Sequence, residues 1–581
     1  MPFKLHLSIL PLMVLSAGLS PGQSTNVLTS RNNNWRDGLN STEISLTQAT
    51  VTKNKFGKIC STAPGALDGQ IYAQPLVVTE AIPGYTHVVY VATMNDTLYF
   101  IDGDSANCAV IKRISLLRSG EKAVKCTDVG NANCATFAPI AGILGTPVID
   151  ATTHTMYVVT WTESTAKGCP ASSSCFTHHL HALDIATGAE RFNGPVAIPS
   201  VSSGASHFSS KNHLQRPGLL LLPQVEANGD SALYVAFSEM DNTGVIGSSV
   251  PNGWVFSFDA QNLAAAPVAW CTTPNGQGGG IWMSGAGLAA GVDQAGGHQY
   301  IYLATGDGTF DAESGGSDYG DSFVKLTTAL NVSSYFTPYR QYCDDIGDMD
   351  LGSGGVMLIP NGVGSSVIDF ALASGKDGNI YVMDRANPGR YAGPAGTLCP
   401  GAAGPDLNYQ TVAATTHQFY STGAFWNQEL YAVANNAPLQ KYKISGTACN
   451  PGPVCQTATA SSAASFAYGP APVISSNGDK TGTAIVWVIN AHGWPSFNPA
   501  VIPKPAVLYA LDAEHVQAPA TIPMLWNSGQ CPGRDGAGNA TKFAVPTVAN
   551  GRVFIGAMDP TDATNTRGEL DVYGANSNPC Y

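Results

Sequence analysis

The stretch HVVYVATMNDTLYFIDGD, residues 87–104, holds two short apolar runs, Val88–Ala92 and Leu98–Ile101, on either side of a Thr-Met-Asn-Asp turn. Runs of this length, rich in β-branched and aromatic residues and separated by a few turn residues, read as paired antiparallel strands. The second run ends on Asp102, and the same phrase of strand, turn and strand with a polar end recurs along the chain. It returns as HTMYVVTWTE with HHLHALDIATG, SALYVAFSEMDN with GWVFSFDAQ, and QYIYLATGDG with DSFVKLTT. It continues as IDFALASGKDGNIYVMDRA, GAFWNQELYAVANNAPLQKYKIS, AIVWVINAHG with AVLYALDAEHV, and GRVFIGAMDP with GELDVYGA, eight units in all.

Several units are preceded by a short apolar strand, as in AQPLVV, GTPVID, GAGLAAGV, GGVMLI, APVIS and VPTVA. Most are followed by a fourth, such as AVIKRISL or PVAWCTT. Four antiparallel strands repeated in this way predict an all-β chain, an eight-bladed β-propeller, because radial repetition protects the sheet edges that a single open sheet exposes. The last unit lacks its outer strand, while KFGKICST (residues 55–62) has no unit of its own. The N-terminal segment is therefore expected to close the ring. The resulting organisation is a signal peptide over 1–24, a leader over 25–54, a propeller over 55–576 and a tail over 577–581.

Residues 1–24 carry Lys4, an apolar stretch from Leu7 to Leu15 and then small residues, the pattern of a secretory signal. The apolar stretch is shorter than the ~20 residues needed to span a bilayer, and no later segment is long enough, so no membrane span is expected in the mature chain. A periplasmic or secreted protein is expected. The thirteen cysteines suit that compartment. Cys126/Cys134, Cys169/Cys175 and Cys449/Cys455 read as loop staples, the odd count leaves a thiol over, and Cys60 with Cys580 is expected to lock the ring. Charged residues make up only 12% of the chain and the formal net charge is −13 without a Lys/Arg cluster, which argues against nucleic acid as a partner.

LDIATGAERF (183–192) and LDAEHVQAPATIPMLW (511–526) resemble the repeat of the quinoprotein (pyrroloquinoline quinone) alcohol dehydrogenases, in which an Asp-led turn precedes a Trp that docks between blades. NNNWRDGLNSTEISLTQATVTKNKFGKI (32–59) is similar to the segment that begins their propellers. The resemblance implies an extracytoplasmic oxidoreductase that oxidises a small alcohol or sugar with calcium-bound pyrroloquinoline quinone and passes electrons to a separate acceptor, as no C-x-x-C-H haem motif is present. A noncatalytic propeller scaffold for protein or glycan binding is the alternative, since one fold serves many functions.

The site residues that the resemblance implies follow from matched motifs. GGGIWMSGAGL offers Trp282 as the platform under the quinone, and LATGDGTFD offers Asp307 where the family has a metal-binding Asn. FSEMDNTG offers Glu239 or Asp241 as a further calcium ligand; carboxylate oxygens suit that hard cation. In YCDDIGDMDLGSGG, Asp350 resembles the family's catalytic Asp, with Asp348 second. The bland reading of that loop, which also holds Asp344 and Asp345, is a solvated acidic run. In KDGNIYVMDR, Lys376 is either a solvated turn residue or the cation that faces the quinone oxygens. The family's vicinal cysteine pair is absent. His178, His179 and His181 read as structural rather than metal-binding, and GQGGG (276–280) as a channel loop rather than a phosphate cradle.

Overall fold

In the computed structural model the repeat units fold as four-stranded antiparallel sheets arranged as the eight blades of a propeller. The structure describes residues 25–580 apart from 130–138, 241–250, 294–295, 361–367, 395–398, 400–403, 446–448, 450–451 and 496–501. The expected signal peptide, Asp241 and Cys134 lie outside the described residues.

The opening stretch forms blade 1, with strands Leu76–Thr79, His87–Ala92, Thr97–Asp102 and Val110–Ser115. Its alternating side chains pack against both neighbours: Val89, Tyr90 and Phe100 share a core with Ile149 and Leu183 of blade 2 and with Phe554 and Val572 of blade 8. Blades 3, 4 and 5 begin with Leu220–Leu222, Ala289–Val292 and Val356–Leu358. The short first strands expected before blades 1, 2, 4, 5, 7 and 8 are all present, those of blades 2, 7 and 8 being Val148–Asp150, Val473–Ser475 and Thr547–Ala549.

Ring closure follows the expected route. Phe56–Ser61 pairs antiparallel with Gly568–Ala575 and becomes the outer strand of blade 8, with one register shift between Lys58 and Cys60. Trp526, fully buried at the end of blade 7, meets Phe56 edge-on at 4.9 Å and Tyr573 at 5.5 Å, so the Trp that follows an Asp-led turn does dock between blades.

The expected Cys60–Cys580 bond is not formed; Cys60 pairs with Cys108 and Cys580 with Cys531. Cys60 stands opposite Val572 and turns into the core shared with blade 1, where Cys108 waits. The chain beyond Ala575 instead leans toward the short helix Pro532–Asp535, where Arg534 donates to the Asn578 carbonyl at 2.6 Å. Cys169–Cys175 and Cys449–Cys455 pair as expected, Cys343 pairs with Cys399, and Cys271 is a buried free thiol.

The leader threads the ring. Its backbone bonds the first strands of blades 1, 2, 4, 5, 6 and 7 in turn, through Val27, Leu28, Asn34, Trp35, Asp37 and Gly38. Asn34 Nδ2 reaches the Leu221 carbonyl of blade 3 at 3.0 Å, and Asn40 Nδ2 reaches the Val548 carbonyl of blade 8 at 2.8 Å. Two fully buried guanidiniums complete the belt. Arg36 donates to the Leu288 and Leu219 carbonyls at 2.9 and 3.0 Å, and Arg31 to the carbonyls of Pro472, at 2.5 Å, and Gly423. Burial pulls the pKa of Arg36 down to about 9, so these carbonyl bonds are what make its burial tolerable.

The three histidines are structural. His178 stacks on Trp161 at 5.4 Å, His179 bonds Glu121 at 2.9 Å and His181 bonds Glu190 at 2.6 Å, each with its own partner.

Candidate functional site

Blade geometry brings Glu239, Asp307, Asp350 and Lys376 to one end of three adjacent blades. Glu239 ends the second strand of blade 3 (Ala232–Glu239), Asp307 follows that of blade 4 (Gln299–Ala304), and Lys376 follows that of blade 5 (Phe370–Ser374). Asp350 lies on the segment entering blade 5, and the pairing of Val356 with Ala373 sets it beside Lys376. The Lys376 amide donates to the Asp350 carbonyl at 3.0 Å, which ties the two segments together.

Asp307, Asp348 and Asp350 each present a carboxylate oxygen within 4.8 Å of the others, the only such group of three or more candidate ligands among the described residues. Lys376 Nζ bonds Asp350 at 2.6 Å and also reaches Asp348. Its side chain is 14% exposed, so Lys376 is not a solvated turn residue. Asp348 is 76% exposed whereas Asp350 is 8% exposed, which divides the acidic loop into a wet and a dry member. Asp350 Oδ1 also accepts the Asp307 amide at 2.9 Å. This close packing needs glycine: a Cβ on Gly306 would collide with Asp350 Oδ1, and one on Gly280, the last residue of GQGGG, with Glu239 Oε2. That loop hugs the site rather than cradling a phosphate.

Trp282 donates its indole N–H to Glu239 Oε1 at 3.2 Å. The other Glu239 oxygen and Asp307 Oδ1 are buried without a hydrogen-bond partner. Burial, and then the charge of Asp350, pushes the Glu239 carboxyl up to about 8 and that of Asp307 up to about 12. Burial works against the Lys376 ammonium, yet Asp350 and Asp348 hold its pKa above the ordinary lysine range. Buried carboxylates whose oxygens lack partners and whose ionisation is suppressed form an oxygen donor set that a divalent cation would complete.

Sequence reasoning missed two contributors. Arg216 lies over Trp282, 5.5 Å from its ring, and over Phe543, 4.4 Å away. Asp321 is buried behind Asp350, and burial followed by that carboxylate drives its pKa well up. Arg216 carries no motif, so only the ring's curvature reveals it. Asp321 stands in the quoted DSFVKLTT and reads there as a strand-leading turn residue.

No protein-family profile matches the sequence, and no curated protein matches it. Solved structures do match. The quinohemoprotein alcohol dehydrogenase ADHIIG of Pseudomonas putida HK5 superposes with a TM-score of 0.56 at 12% identity, over 95% of this chain and 81% of that one. The quinohemoprotein alcohol dehydrogenase of Comamonas testosteroni gives 0.56 at 13% identity, over 94% and 80%. A europium-containing methanol dehydrogenase gives 0.53 at 14% identity, over 94% and 98%. At such identities the likeness is one of fold: the chain shares the β-propeller fold of these dehydrogenases.

Proposed function

We propose that this chain is an extracytoplasmic quinoprotein-like oxidoreductase that oxidises an alcohol or a sugar with calcium-held pyrroloquinoline quinone. The observation that carries the reading is the convergence of Asp307, Asp348, Asp350 and Lys376 beside the Trp282–Glu239 pair. The partnerless buried oxygens of Glu239 and Asp307 fit a hard divalent cation, and an indole with the Arg216 guanidinium 5.5 Å from its ring suits a flat polycarboxylate. The disulfides agree with an oxidising compartment, and no helix among the described residues is long and apolar enough to cross a membrane.

In this reading the quinone, when bound, supplies the two-electron acceptor. Glu239 and Asp307 would hold the cation, with Asp241 a further candidate ligand and Asp348, whose carboxylate lies within 4.8 Å of that of Asp307, another, and Trp282 would provide the flat wall. Asp350 is the base for the substrate hydroxyl proton; its place next to Asp307 and Lys376 keeps it oriented and largely dry. Lys376 supplies fixed positive charge where negative charge grows, which favours the transition state over the ground state. A separate carrier takes the electrons onward.

The scaffold reading has one observation in its favour: the Lys376 ammonium already sits on Asp348 and Asp350 and neutralises charge there as a metal would. Purified protein mixed with pyrroloquinoline quinone and Ca2+ and offered a panel of alcohols and sugars decides between them. Substrate-dependent reduction of a dye supports the oxidoreductase; quinone uptake with no reduction across the panel supports the scaffold.

A further inference from the structure

A cavity of 730 Å³ opens beside the acidic loop, within the range of small-ligand sites. It is lined by Gly347 and Met349, which alternate with Asp348 and Asp350, and by Asp377, which follows Lys376. None of Glu239, Trp282, Asp307, Asp350 and Lys376 lines it, so it is separate from the carboxylate cluster.

Its walls combine aromatic faces with fixed polar groups. Tyr339 and Tyr409 contribute rings, and Tyr409 is 46% exposed, held edge-on to Phe370 at 5.0 Å. Asp377 accepts the Asn379 amide at 3.1 Å, Asn379 Nδ2 at 2.7 Å and the Tyr381 hydroxyl at 2.5 Å. Asp406 accepts the Tyr339 amide at 2.8 Å and the Thr411 hydroxyl at 2.9 Å. Arg340 has its side chain half exposed, and its one ion-pair partner among the described residues is Asp344, at 3.8 Å.

These details select a class of ligand. An organic anion meets three carboxylates. An amine meets Arg340 and finds Asp377 and Asp406 already bonded to protein donors. A neutral polyhydroxylated molecule meets neither obstacle: its hydroxyls donate to carboxylate lone pairs that remain and accept from the guanidinium, while its C–H face lies on a tyrosine ring. Burial, and then Asp377, pushes the Asp344 carboxyl up to about 7, which further weakens the pull on a cation.

We propose that this cavity is a saccharide-binding site, formed by Arg340, Asp344 and Asp406 with the rings of Tyr339 and Tyr409. It shares no residue with the carboxylate cluster and stands whichever reading of that cluster is right. Calorimetry or saturation-transfer NMR on the purified full chain, with a panel of neutral mono- and oligosaccharides, tests it. We expect at least one saccharide to bind. Arg340→Ala and Tyr409→Ala, both at exposed side chains, are each expected to lower its affinity tenfold or more with the melting temperature kept, while Asp307→Asn leaves it unchanged. A silent panel, wild-type affinity in both cavity variants, or binding only of amines or Ca2+ overturns the proposal. An equal loss in Asp307→Asn moves the ligand to the carboxylate cluster and overturns it as well.

Discussion

Lys376 owes its position to the turn between the second and third strands of blade 5, and its partners to the neighbouring loop. Removing one member of a buried ion pair leaves the other charge uncompensated, at a cost of about 3–5 kcal/mol. Because Asp348 is exposed, Lys376→Ala is expected near the low end, about 3 kcal/mol in urea unfolding at neutral pH, with part of the loss recovered on adding Ca2+. A change within about 0.5 kcal/mol, as for an ordinary surface substitution, contradicts this. Glu569 in blade 8 offers a pH test away from the site. Burial, and then Asp571, pushes its carboxyl up to about 9. A carboxyl raised in the fold keeps a proton that the unfolded chain has lost, so its stabilising contribution is complete below the unfolded pKa and is lost as pH rises toward 9. Glu569→Gln is therefore expected to gain in melting temperature relative to the wild type as the pH is stepped from 5 to 9, and a constant difference contradicts the shift. The motif order made Trp282, Asp307, Asp350 and Lys376 legible in the sequence. Arg216 was not, because a lone arginine carries no signal of the ring that bends over it.

At the scale of the element, the strands were legible because two-residue alternation and Asp-led turns are local properties. The route of KFGKICST was legible too, since counting strands left one blade short and one strand spare. Of the cysteines, the short staples Cys169–Cys175 and Cys449–Cys455 were legible but the long-range pairing was not: whether Cys60 faces Cys108 or Cys580 depends on which side of the closing strand it occupies, and the register shift at Lys58/Cys60 is invisible without the partner strand. The leader's path was equally hidden, because its polar residues read as a loop while their carbonyl partners are scattered through the whole ring. Deleting residues 25–63 removes both the belt and the outer strand of blade 8 and bares an edge. The truncated chain is expected to aggregate on size-exclusion chromatography; a monomer with an unchanged melting temperature contradicts this account of closure.

At the scale of the molecule, the ring gathers residues that lie far apart in sequence, from Glu239 to Lys376, at one end of three blades, and packs them against glycine-rich backbone. If this convergence is a site for a divalent cation and a quinone rather than a self-neutralised charge cluster, quinone binding depends on the cation. Titration calorimetry of the wild type with pyrroloquinoline quinone, in Ca2+ and in a chelator, alongside Asp307→Ala, tests it most directly. The wild type is expected to bind the quinone at least tenfold more tightly with Ca2+ than without, and Asp307→Ala to lose this dependence. Quinone affinity that is indifferent to Ca2+, or a variant that binds as the wild type does, contradicts it.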